Sequence, residues 1–124
     1  KMQRDFTYVD DIAEGTVRVL DRVASPDSHF KTDSPNPGSS YAPYRVYNIG
    51  NHQPVELITF IKIIEDALGR TAKKNLLPMQ PGDVVATYAD VEDLKRDIHF
   101  EPKTELTIGI RKWVDWYRGY INQS

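Results

Sequence analysis

The sequence predicts an α+β domain. Three observations carry that expectation: short β-branched and aromatic runs ended by turn residues, four stretches whose apolar residues recur at helical spacing, and a length of 124 residues, which suits one domain spanning 1–124.

The elements follow in order along the chain. Arg4 to Val9 alternates polar and apolar residues and leads into Asp10-Asp11, a favourable helix N-cap pair, so a strand feeding a helix is expected. In that helix Ile12, Thr16, Val19, Leu20 and Val23 share a face expected to be core, up to the stop at Ser25-Pro26. Between Ser25 and Pro43 lie four prolines, five serines and a glycine with little apolar content, so 25–43 is expected to be a mobile loop without a catalytic role. Tyr44 to Gly50 reads as a strand with a turn behind it. Val55 to Leu68 reads as a helix striped by Leu57, Ile61, Ile64 and Leu68 and stopped at Gly69.

Lys73 to Leu77 is expected as a third short strand, and Pro78 to Asp83 as an exposed turn too rich in Pro and Gly for regular structure. Two helices close the domain, one around Val91 to Asp97 and one from Glu105 to about Ile121. The second carries Leu106, Ile110, Trp113, Tyr117 and Tyr120 at helical spacing, and its aromatic stripe is expected to pack into the core rather than to stack on a sugar.

Composition excludes several function classes. A formal charge of -2 gives no electrostatic footprint for nucleic acid or anionic lipid. There is no cysteine, which removes disulfides, thiolate catalysis and Cys-based zinc sites. No apolar run approaches the roughly 20 residues that span a bilayer. The chain opens on Lys1-Met2 with no signal pattern, so it reads as a cytoplasmic fragment, and the sequon Asn122-Gln123-Ser124 reads as chance. The seven glycines are too scattered for G-x-G-x-x-G, a P-loop or a nucleophile elbow. His29, His52 and His99 have no partner histidine at i+4; the pairs His52/Glu56 and His29/Asp33 supply too few ligands, so no metal is expected.

Three blocks, in this order, resemble the C-terminal half of extended short-chain dehydrogenase/reductases acting on nucleotide sugars. They are Arg4-Asp5-Phe6-Thr7-Tyr8-Val9-Asp10-Asp11-Ile12, then Tyr47-Asn48-Ile49-Gly50 running into Pro54-Val55-Glu56, then Pro81-Gly82-Asp83 followed by Tyr88-Ala89-Asp90. The Pro/Ser-rich loop, Gln80 to Val84, and Trp113-Val114-Asp115-Trp116-Tyr117 are most similar to UDP-glucuronate 4-epimerases. The resemblance implies a two-domain enzyme. An N-terminal Rossmann domain binds NAD and carries a Tyr-x-x-x-Lys base, and a smaller C-terminal domain clamps the UDP-sugar while its C4 is oxidised and reduced from the other face. No tyrosine here is followed four residues later by lysine, so no catalytic or cofactor-binding residue is expected in this chain, which alone should be inactive.

The resemblance also assigns substrate contacts. Arg4 matches the arginine that reaches the diphosphate, a task suited to a planar, permanently charged fork; a solvated arginine, or one paired with Asp5, is the plain alternative. Asp83 matches the acid that accepts hydrogen bonds from the ribose hydroxyls, against a turn-forming or capping aspartate. Gln80 stands where UDP-galactose 4-epimerases carry an arginine, so its contact is a neutral hydrogen bond or none. Asp10 and Asp11 could be mistaken for an acid/base pair, but adjacent side chains point apart and capping explains at least one.

Two other readings share these residues. A nucleotide-sugar dehydratase or reductase has the same C-terminal skeleton. A stand-alone binding module predicts a complete core with no large exposed apolar face, whereas a fragment predicts such a face where the Rossmann domain docks, together with self-association.

Overall fold

The computed structural model describes residues 2–122, so residues 123 and 124 of the sequon lie outside the described residues. Strand β1 is Gln3–Asp5. It pairs antiparallel with β2, Pro54–Glu56, placing Arg4 opposite Val55. On the other edge of β1, Gln3 N donates to Val85 O at 2.9 Å and Thr87 N to Gln3 O at 3.3 Å, a parallel bridge centred on Ala86. Four helices follow the sequence periodicity: α1, Val9–Leu20; α2, Leu57–Leu68; α3, Glu92–Ile98; α4, Leu106–Ile121. Helices and a two-stranded sheet make the fold α+β, as expected.

Local chemistry explains the helix ends. Gly69 takes φ 67 and its N–H bonds to Glu65 O, the left-handed stop that a residue without Cβ accepts most readily. Asp10 and Asp11 lie in the first turn of α1, where negative charge complements the helix dipole, but neither caps it, because Tyr8 holds the N-cap position without a side-chain bond. The capping expectation is thereby corrected. The Asp11 carboxylate instead accepts from Lys103 N at 3.1 Å, Thr104 N at 2.8 Å and Thr104 Oγ1 at 2.9 Å, and so fixes the approach to α4.

Several strand expectations are corrected. Only the beginning of Arg4–Val9 pairs, and Val9 joins α1. Tyr44 to Gly50 forms a single bridge, Arg45 with Ser39, because a β-branched run needs a neighbouring strand and the described residues offer none. Lys73 to Leu77 has no regular structure; Glu65 on α2 holds that stretch through Ala72 N and Lys74. Segment 25–43 has neither helix nor named strand. Asp27 ties it together, accepting from Ser39 Oγ at 2.7 Å and His29 N at 2.9 Å, while Asp27 N donates to Ser40 O at 2.8 Å.

The core is thin. Its buried apolar side chains are Val91, Leu94, Ile110 and Val114. Two further expectations about the core are corrected. On α1, Gly15 faces inward against Phe100 and Ile49, and this rotation leaves Leu20 75% exposed and Val23, beyond the helix, 87% exposed. On α4, Gly109 packs against Tyr8 while Trp113, Trp116, Tyr117 and Tyr120 remain exposed, so the aromatic stripe is surface. The accessible surface is 9532 Å². A self-contained protein of 14.2 kDa exposes about 6,800 Å², so on the order of 2,700 Å² of extra surface is open.

One carboxylate joins the segments around β1. Asp5 Oδ1 accepts from Asn51 N at 3.1 Å, and Oδ2 accepts from His52 N and Ala89 N, both at 3.0 Å. Such proximity requires a glycine at position 50, since a Cβ there would lie 2.5 Å from Ala89 Cβ and 2.8 Å from Asp5 Oδ2. Gly50→Ala should destabilise the chain by roughly 1–3 kcal/mol through overpacking. Asp5→Ala, which strands the His52 and Ala89 backbone donors and leaves Asn51 N only Thr7 Oγ1, should cost about 2–3 kcal/mol. Urea denaturation followed by circular dichroism measures both; an unchanged midpoint for Asp5→Ala would remove the carboxylate from this role.

Candidate functional site

Adjacent residues of a strand point to opposite faces, so Arg4 and Asp5 cannot both serve the same neighbour. Asp5 is taken up by the 51–52 turn and Ala89. Arg4 turns the other way, and its Nη1 donates to Gln3 O at 2.8 Å and to Val84 O at 2.9 Å. Among the described residues no carboxylate pairs with Arg4, so the Arg4–Asp5 ion pair does not form. Part of the guanidinium keeps donors to spare.

Val84 directly follows the turn that carries the other two predicted residues. Asp83 N donates to Gln80 O at 3.1 Å, closing Gln80-Pro81-Gly82-Asp83 into a β-turn. Proline presets φ at its second position and Gly82 takes φ 90 at its third, a conformation strained for any side chain. Gln80 and Asp83 are exposed, and among the described residues neither side chain has a hydrogen-bond partner. The fold therefore brings Arg4, Gln80 and Asp83 to one edge of the molecule, a cation beside an anion and an amide. This edge is open: the three residues do not line the cavities found elsewhere on the surface.

Sequence reasoning missed two arrangements beside this edge. His52 adopts φ 53, sparsely populated for a residue with a side chain, and its Nδ1 lies 2.7 Å from Ala89 O, so Nδ1 carries the proton; its ring meets Tyr88 edge-on at 5.6 Å. Neither His52 nor His29 faces the acid suggested by sequence spacing. His29 lies by Asp27 and Ser28, and no group of three or more His, Asp and Glu among the described residues is placed to hold a metal ion.

The second is an ion-pair cluster between the 44–47 segment and α3. Asp97 accepts from Arg45 Nη2 and Tyr47 OH, both at 3.0 Å, and from Arg96 Nε at 2.8 Å, while Asp93 bridges Arg45 at 2.8 Å and Arg96 at 2.7 Å. Burial pushes the Asp97 carboxyl up, but hydrogen bonds from Arg96 and Tyr47 and the charges of both arginines outweigh it and hold it below the usual aspartate value. Burial, then the bond to Asp97, raises the Tyr47 phenol. A cavity of about 330 Å³ opens beside the cluster toward Asp27, whose carboxyl is lowered first by the Ser39 hydroxyl and next by the His29 amide. Sequence spacing held no signal for the cluster, because its members lie about fifty residues apart.

Comparison with known proteins identifies the class. No family model matches the chain. It is 55% identical over 122 residues to Protein CapI of Staphylococcus aureus, covering 98% of this chain and 36% of that protein. It is 41% identical over 118 residues to the probable UDP-glucuronate 4-epimerase of Rhizobium meliloti, covering 94% and 35%. The solved UDP-glucuronic acid 4-epimerase of Bacillus cereus, in complex with UDP-glucuronic acid and NAD, superposes with a TM-score of 0.70 at 27% identity, covering 96% of this chain and 33% of that one. Its fold matches the C-terminal part of solved UDP-sugar epimerases. Within that class its sequence relatives include UDP-glucuronate 4-epimerases, and it spans about a third of the length of the curated relatives named here.

The Asp97 cluster has a pH signature. Its native carboxyl titrates below the unfolded one, so its stabilisation is present above about pH 4 and is lost as the pH falls through the depressed native value. Asp27 acts in the same direction. Thermal melts of Asp97→Asn between neutral and acid pH should show a shallower loss of Tm than the parent; parallel curves would refute the assignment.

Proposed function

We propose that this chain is the UDP-sugar-binding portion of an NAD-dependent nucleotide-sugar 4-epimerase acting on UDP-glucuronate-like substrates. The observation that carries the reading is the Arg4 guanidinium, free of any carboxylate among the described residues and held through Val84 O beside the Gln80–Asp83 turn. Arg4 offers paired N–H donors to the diphosphate, where charge-assisted bidentate bonds are strongest. Asp83 offers two acceptor oxygens to the ribose diol, and the turn fixes its position by its own hydrogen bond rather than by a side-chain partner. Gln80 offers a neutral amide to the substrate. Asp5 touches no substrate in this reading; it holds the backbone of β1, and with it the register of Arg4.

NAD supplies hydride acceptance and return at sugar C4 when bound, and the residues that hold it and the Tyr-x-x-x-Lys base belong to sequence beyond these 124 residues. An open recognition edge, a thin core and an excess of exposed surface support a chain that completes its site against further polypeptide rather than a self-sufficient binding module. No helix among the described residues is long and apolar enough to cross a membrane.

Two measurements test the reading. The 124-residue chain should show no epimerisation of UDP-glucuronate and no calorimetric binding of NAD; turnover by the purified chain would refute the division of labour. In the protein carrying the relatives' full length, Arg4→Ala should raise the KM for UDP-glucuronate about tenfold or more, with NAD affinity unchanged. Asp83→Asn should act in the same direction with a smaller effect. Unchanged kinetics in Arg4→Ala would remove it from the site.

A further inference from the structure

Among the described residues two with side chains hold a positive φ, His52 and His99, both at 53°. His99 has a local reason. It ends α3 and its N–H donates to Lys95 O, the left-handed stop of a helix, while its ring has no hydrogen-bond partner among the described residues. His52 ends no helix, and an imidazole carried into that costly conformation is explained by what the ring holds. β1 lies between two neighbours, β2 on one edge and the 85–87 stretch on the other. His52 reaches across the end of β1: its N–H donates to Asp5 Oδ2 at 3.0 Å and its Nδ1–H to Ala89 O at 2.7 Å. Among the described residues no other hydrogen bond joins the 51–56 stretch directly to the 84–89 stretch. The ring also meets Tyr88 edge-on, with 72° between the planes. From Ala89 the pinned stretch runs back to Val84, whose carbonyl holds Arg4, and then to Asp83.

We infer that His52 is a positioning residue for UDP-sugar recognition: its Nδ1–H bond to Ala89 O fixes the far end of the 84–89 stretch, and with it the register at which Val84 O presents Arg4 and the turn presents Asp83. The inference rests on the recognition edge proposed above. His52 itself touches no substrate; it acts through Ala89. With both ends of the stretch held, little ordering remains to be done when substrate binds. With Ala89 O released, the edge is ordered only at the moment of binding, and substrate affinity falls by that entropy. The steps at sugar C4 are left as they were, because the groups that perform them lie elsewhere.

Substitutions at position 52 in the protein carrying the relatives' full length test it. Glycine accepts a left-handed φ without strain but brings no side-chain donor. Asparagine also tolerates that backbone and carries an amide N–H the same number of bonds from Cα as Nδ1–H. His52→Gly should raise the KM for UDP-glucuronate about threefold or more with kcat and NAD affinity unchanged, and His52→Asn should bring KM back toward the parental value. Hydrogen exchange in His52→Gly should quicken at the Thr87 and Ala89 amides, whatever the variant's overall stability does to its kinetics. A purely structural role would lower Tm and leave KM at the parental value. Arg4→Ala, measured in parallel, separates the two readings. A raised KM in Arg4→Ala with a parental KM in His52→Gly overturns this inference alone, and a parental KM in both overturns the recognition edge with it. Unchanged exchange at Ala89, or a His52→Asn enzyme as impaired as His52→Gly, would also overturn it.

Discussion

The carboxylate of Asp5 is the point at which the chain closes on itself. It draws Asn51 N, His52 N and Ala89 N onto one side chain, joining β1 to segments about fifty and eighty residues away. Backbone donors at such a crossing have no ladder to satisfy them, and a single carboxyl group with two oxygens answers all three. The absence of a side chain at position 50 makes the approach possible, and the strained φ of His52 is tolerated because its N–H and its ring are both held. The recognition edge depends on this crossing. With Asp5 anchored on one face of β1, the pleat sends Arg4 to the other, toward Val84 and the Pro-Gly turn.

The rest of the molecule is held by polar contacts between distant segments more than by a deep core. Asp11 fixes the approach to α4, Asp97 joins the 44–47 segment to α3, and Asp27 gathers the 25–43 segment. Each is a carboxylate accepting more than one hydrogen bond, an arrangement that specifies geometry strongly even where little apolar area is buried. Few fully buried apolar side chains among the described residues and a large excess of open surface describe a chain whose helices are only half packed. Such helices form because their sequences are consistent with helix along their whole length, and their exposed stripes remain available to a partner.

Much of this was legible before any coordinates. α2 and its stop at Gly69 followed from a 3.6-residue stripe and a glycine, both local signals. The Gln80–Asp83 turn followed from Pro and Gly at the two positions where a turn demands them. What failed were inferences of burial. The stripes on α1 and α4 have the spacing of core faces, yet a stripe reports only that something covers it: on α1 Gly15 is buried while Leu20 is exposed, and on α4 Ile110 is buried beside Gly109 while the aromatic residues are exposed. Strands failed for a related reason: Lys73 to Leu77 and Tyr44 to Gly50 have strand composition but lack a neighbour to pair with.

The sequence by itself determined the helices, the turn and the three residues proposed to meet substrate, because helical periodicity, turn chemistry and a motif in the right order are written in residues close together. Only the tertiary structure decided that Arg4 is free of Asp5, that Asp5, Asp11 and Asp97 are cross-links between remote segments, and that the aromatic stripe of α4 faces outward. Those outcomes depend on which distant groups compete for the same carboxylate or the same face, a competition settled when the chain closes and invisible to any window of neighbouring residues.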